Sequence, residues 1–223
     1  EFVRRAGEIV QRADALQAEM ALYAGVRRGT LNLGIITSLQ CIDFGGLLSA
    51  FCGSYPDVSV NIVQDGTHRL LELLMDRKVD APFLNRPMSG IPSGLEFDKL
   101  GEDVYSLAVP TLHPLAKREQ ASLRELRDEH FIFHQTGQVA SELCLAACRA
   151  AGFEPNAVCR SASPTPGLYM VQGGLGVALL PSEEFSARKL KGITELKLKE
   201  KIVKEVGAAW RKDVSSPLVD AIV

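Results

Sequence analysis

The chain has 223 residues, 46% of them hydrophobic and 23% charged, an ordinary globular composition with room for one large domain or two small ones. With 25 basic and 27 acidic side chains its net charge is −2, which argues against a surface that grips nucleic acid by itself. No apolar run approaches the ~18 residues of a membrane span, and five cysteines without framework spacing favour a reducing compartment, hence the cytoplasm.

Residues 1–28 read as one helix. The opening "EFVRRAGEIVQRADALQ" is charged throughout and is not a secretory leader. Ile9, Ala13, Leu16, Met20 and Tyr23 follow at spacings of four, three, four and three, with Phe2 one heptad earlier, as in a coiled-coil seam. An amphipathic helix packed on its own domain is the alternative. The charged neighbours and the abrupt end at "GVRRGT" favour a protruding helix that pairs with another chain.

After Gly29 the pattern changes. Residues 31–36 and 58–63 read as strands, with a helix over 39–56 between them that Pro56 stops. A helix over 67–78, with Thr67 at its N-cap, leads to a strand over 80–85. That order predicts a right-handed parallel βαβαβ unit. Pro87, Gly90, Pro92 and Gly94 then mark an irregular crossing. Beyond it, strands are expected over 103–110, 130–134, 157–161, 176–181 and 202–210. The helices between and after them are 122–126, with a Ser122–Glu125 capping box, 138–152, one from Thr165 with Pro166 in its first turn, and one from Ser216-Pro217.

The glycines of "YMVQGGLGVALLP" (169–181) invite comparison with a phosphate-binding loop. Such a loop needs strand, glycines, then helix, whereas here a helix precedes Gly173, Gly174 and Gly176 and a strand follows. The stretch is a turn, with Gly173 or Gly174 as a left-handed C-cap and Gly176 as a close-packed strand entry.

Catalytic chemistry finds little support. His130 and His134 on one strand lie ~13 Å apart and cannot share a metal ion. Cys144 and Cys148, and likewise Cys41 and Cys52 on the first helix, read as buried structural thiols. No nucleophile elbow, zinc-protease motif or carboxylate pair appears, so no enzyme, metal or cofactor is expected. Hydroxyl residues do open three predicted helices just after strands: Thr37-Ser38, Thr67 and Thr165. They are either simple caps or, together, a cradle for an anion at helix N-termini, with Arg86 as a counter-charge.

These residues resemble one family, the LysR-type transcriptional regulators, over essentially the whole chain. The helix ending in "GVRRGTLNLGIITSL" is similar to their linker helix and first effector-domain strand. "FCGSYPDVSVNIVQDGTHRLLELLMDRKVDAPFL", "VYSLAVPTLHPLA" and "MVQGGLGVALLP" are similar to further family patterns. The resemblance implies an α/β, type 2 periplasmic-binding-protein-like fold, with two α/β subdomains, a cleft between them and a preceding linker helix. Residues 1–28 would be the linker, and 29–223 the effector domain, with subdomain I over about 30–98 and 203–223 and subdomain II over about 99–202.

In the family, effector contacts would fall on Thr37, Ser38 and Leu39, on Thr67 and His68, on Arg86, on the loop His134, Gln135, Thr136 and Gly137, and on Thr165. The implied partners are a small effector, a carboxylate or other anion, and further copies of the chain in a dimer or tetramer. Promoter DNA would be bound only through a winged helix-turn-helix that this sequence does not contain. "HQTGQVASELC" departs from the His-Cys loop of the oxidation-sensing branch, so a peroxide sensor is not expected. A transporter's solute-binding protein shares the implied fold and is the alternative.

Overall fold

A computed structural model of the chain describes residues 29–188, 191–214 and 216–223. The predicted linker helix over 1–28 lies outside the described residues. Strand β1 (Gly29–Ile35) pairs in parallel with β2 (Val58–Gln64) on one side and β3 (Ala81–Asn85) on the other. Helices α1 (Phe44–Ser54) and α2 (Thr67–Met75) make the crossovers, which is the expected βαβαβ unit. β3 is buried at all five positions because the unit is covered on both faces. On one face Leu70 and Leu74 of α2 pack with Val79, Leu84 and Leu95. On the other, Phe51 of α1 joins Leu31, Leu33 and Phe83, and the Phe44 ring meets Phe83 edge-on at 5.0 Å.

The chain then enters β4 (Leu95–Pro110), a 16-residue strand that belongs to both halves. Up to Val104 it pairs antiparallel with β10 (Val203–Arg211), which also pairs antiparallel with β3. From Tyr105 onward it pairs with β8 (Ala178–Pro181) and β9 (Ile193–Leu198). The short β5 (Gln120–Ala121) closes the far edge beside β9. β6 (His130–His134) and β7 (Asn156–Ser161) form a parallel pair bridged to this half through Phe131 and Val177. Helices α3 (Val139–Ala150) and α4 (Pro164–Gln172) flank them, and α5 (Glu183–Arg188) and α6 (Pro217–Asp220) follow. The second core gathers Tyr105, Leu107, Phe131, Phe133, Leu179 and Leu196.

Some local expectations shift. α1 begins at Phe44, not residue 39, because Asp43 caps it by accepting from the Gly46 N–H at 2.9 Å. Cys41 therefore precedes the helix, and Cys52 is exposed where a buried thiol was expected. α2 is capped by Gly66, so Thr67 is its first residue and not its cap. α4 starts at Pro164 behind Ser163, one residue before Thr165. β5, β9, α5 and the first half of β4 were not anticipated. The 169–181 stretch is the turn the residue order required. Gly174 takes a φ of +77°, and a Cβ on Gly176 would lie 2.3 Å from the His130 carbonyl oxygen.

Candidate functional site

Between the two halves lies a cleft of about 540 Å³, counting its open mouth. The C-terminal ends of β1 and β3 and the start of α2 supply Ile36, Thr37, Ser38, Asn85 and Thr67. Facing them, the end of β6 and the starts of α3 and α4 supply His134, Gln138, Val139 and Pro164. Tyr105 lines it from β4, which runs through both halves, and Lys204 from β10 beside it. A cleft at the carboxyl ends of parallel strands, beside a helix N-terminus, is where an open α/β fold presents free N–H groups to a ligand.

Polar groups inside the cleft are incompletely satisfied. Thr67 Oγ1, Asn85 Oδ1 and Tyr105 Oη are buried and have no hydrogen-bond partner, in residues only 4%, 9% and 1% exposed. Because Thr67 is not the N-cap, its hydroxyl is not spent on the helix. Burial, with Cys144, Asp103 and Glu184 nearby, pushes the Tyr105 phenol well above its usual range, so it remains a hydrogen-bond donor.

Lys204 Nζ lies 3.1 Å from Asp103 Oδ2, and both side chains are almost fully buried. Neither Asp103 oxygen is in a hydrogen bond of good geometry, although the Lys204 ammonium and the Cys41 thiol both lie beside the carboxylate. Burial moves His134 down to about 4, outweighing the upward effect of its bond to the Leu179 carbonyl, with nearby Lys204 a smaller downward cause. The ring is therefore neutral at pH 7. Nε2 faces the Leu179 oxygen at 3.0 Å and must donate, which leaves Nδ1 as an acceptor. Cys41, beside this group, is pushed up to about 11 by burial and then by Asp103, so its thiol is not ionised.

Among the described residues, two side-chain contacts tie the halves across the cleft. Ser38 Oγ donates to Glu184 Oε1 at 2.8 Å, and His68 Nε2 meets Glu142 Oε1 at 3.1 Å on the exposed rim. Of the residues singled out from sequence, Thr37, Ser38, Thr67 and His134 line the cleft. Leu39 is packed among apolar side chains of both sheet faces, and His68 sits at the rim with Glu142. Arg86 points to Glu205 at 3.1 Å, and Gln135, Thr136 and Gly137 are exposed. Thr165 is half-buried, yet its neighbours Ala162 and Pro164 are the lining residues there. Asn85, Tyr105 and Lys204 also line the cleft and were not among the residues singled out from sequence. Of the three expected helix starts, Thr67 does open α2 beside the cleft, Thr165 is the second residue of α4, and Thr37-Ser38 lie in a turn ahead of α1.

Two α/β subdomains joined through β4 around a cleft of mixed polar and apolar lining define a ligand-binding clamp of the type 2 periplasmic-binding-protein kind. The chain belongs to the LysR substrate binding domain family, whose family model matches residues 24–223. It is 30% identical over 189 residues to the transcriptional dual regulator GltC of Bacillus subtilis, covering 83% of this chain and 62% of that protein. The chain thus spans less than two thirds of that relative's length. Its fold is similar to the effector-binding domain of QuiR in complex with shikimate, at a TM-score of 0.78 and 20% identity, over 87% of this chain and 93% of that one. It is similar also to the BenM effector-binding domain with benzoate, at 0.74 and 18%, over 87% and 88%. A transporter's solute-binding protein is not favoured by this family membership.

Proposed function

We propose that this chain is the sensing part of a transcriptional regulator, holding a small carboxylate in the cleft and passing that state to a DNA-binding unit elsewhere in the full-length protein. One observation carries the reading: Thr67, Asn85 and Tyr105 each hold a buried polar atom without a partner on the wall of the same cleft. Each such atom costs about 1–3 kcal/mol when left unpaired, an expense that a ligand can offset. The Thr67 and Tyr105 hydroxyls and the unpaired N–H groups of the first α2 turn together suit one carboxylate. Shikimate and benzoate, the ligands of QuiR and BenM, are both carboxylates, which agrees with this choice.

In this reading the full-length protein works in the cytoplasm as a dimer or tetramer joined through residues 1–28, and the cleft biases its geometry. Closure of the subdomains on the ligand would be the switch. A thermal-shift screen of the chain against small carboxylates and matched neutral amides tests the ligand class. The expected result is a concentration-dependent rise with at least one carboxylate and none with its amide. Stabilisation by amides alone would contradict it.

A further inference from the structure

The unpaired groups in the cleft are of two kinds, and a carboxylate can satisfy only one of them. A carboxylate accepts hydrogen bonds and donates none. It can take bonds from Thr67 Oγ1 and Tyr105 Oη, but Asn85 Oδ1 is itself an acceptor, buried to 9% exposure and without a donor. His134 adds a second acceptor, since Nε2 is committed to the Leu179 carbonyl and the neutral ring leaves Nδ1 bare. Charge points the same way. Lys204 is already matched by Asp103, Asp65 also lines the cleft, and Glu184 holds Ser38 across it. One incoming negative charge has donors waiting for it; a second would meet carboxylates and bare acceptors.

We infer that the ligand is a hydroxy monocarboxylic acid, with Asn85 the residue that selects for its hydroxyl. The inference rests on the carboxylate reading above and adds the second functional group. Asn85 is the last residue of β3 and lines the cleft, between Leu84, which packs into the core, and Arg86, which turns outward to Glu205. A site whose buried acceptor awaits a hydroxyl penalises the analogue that lacks it, because the acceptor then stays dehydrated and unpaired.

The test uses matched acids: propionate with lactate, benzoate with its three hydroxybenzoates, and cyclohexanecarboxylate with shikimate, with succinate as the dianionic control. Calorimetry on the parent chain should find at least one hydroxy acid binding about ten- to a hundredfold more tightly than its unsubstituted partner. Asn85→Leu should erase that difference, the hydroxy acid losing about ten- to a hundredfold more affinity than its unsubstituted partner. Asn85→Ala serves the same purpose if the leucine variant does not fold. Equal affinity within every pair on the parent overturns the inference, as does a preference that survives both substitutions. Tighter binding of succinate than of any hydroxy acid overturns the single charge. If none of these acids binds, the carboxylate reading fails and this inference with it.

Discussion

Ser38 Oγ donates to Glu184 Oε1 over 2.8 Å, tying the turn after β1 to the start of α5 on the other half of the molecule. Ser38 is 7% exposed and Glu184 1%, so the bond is shielded from water. A hydrogen bond to a buried carboxylate is stronger than a neutral one. Ser38→Ala is therefore expected to lower stability by about 1.5–3 kcal/mol, falling to about 1 kcal/mol when Glu184 is already Gln. Urea midpoints of the four proteins in this double-mutant cycle measure the difference. Equal losses in both backgrounds would remove the charge from the account.

The Lys204–Asp103 pair gives a larger effect. Their side chains are 3% and 0% exposed, so deleting one charge strands the other in the core. Lys204→Met should destabilise the chain by about 3–5 kcal/mol, and adding Asp103→Leu should recover most of that loss. A single variant within about 1 kcal/mol of the parent would show that solvent reaches Asp103.

His134 sets a pH dependence whose sign follows from its environment. Its ordinary value of 6.5 applies to the unfolded chain, and burial lowers it to about 4 in the folded one. Above pH 6.5 the ring is neutral in both states and contributes nothing. Between about 6.5 and 4 the unfolded chain binds more protons, so stability falls as the pH falls. The loss is complete below about pH 4, where it reaches about 3 kcal/mol. His134→Gln, which keeps an N–H able to donate to the Leu179 oxygen, should flatten this part of the profile relative to the parent. Parallel profiles for the two proteins would mean that His134 is solvated.

How legible the molecule was depended on whether a signal was local. The β1–α1–β2–α2–β3 order, the Ser122–Glu125 capping box and the turn at Gly174 are written in short-range patterns and all appear, with α1 starting five residues later than its pattern suggested. The first half of β4 was hidden because "LEFDKLGE" is polar and lacks a clean alternation; distant β10 makes it a strand. Asn85 was hidden for the opposite reason. β3 is buried throughout, so no alternation separates the side chain that ends inside from Arg86, which ends outside. Lys204 looks like a solvent-facing lysine in "IVKEV" until Asp103 on the neighbouring strand is seen beside it. Of the hydroxyls, Thr67 was found through a cap it does not make, and Ser38 through a helix that starts later.

The central claim is that the Thr67 and Tyr105 hydroxyls are kept unpaired in the protein because a ligand uses them. Melting temperatures of the parent, Thr67→Val and Tyr105→Phe, each free and saturated with the tightest-binding acid of the carboxylate series, test it most directly. A hydroxyl kept for a ligand burdens the free protein, so each variant should be about 1 kcal/mol more stable than the parent when free. The same substitutions should weaken the acid's binding by about ten- to a hundredfold and abolish most of the ligand-induced rise. Variants that are less stable when free and keep the full rise would contradict the account, because the two hydroxyls would then serve the fold and not the ligand.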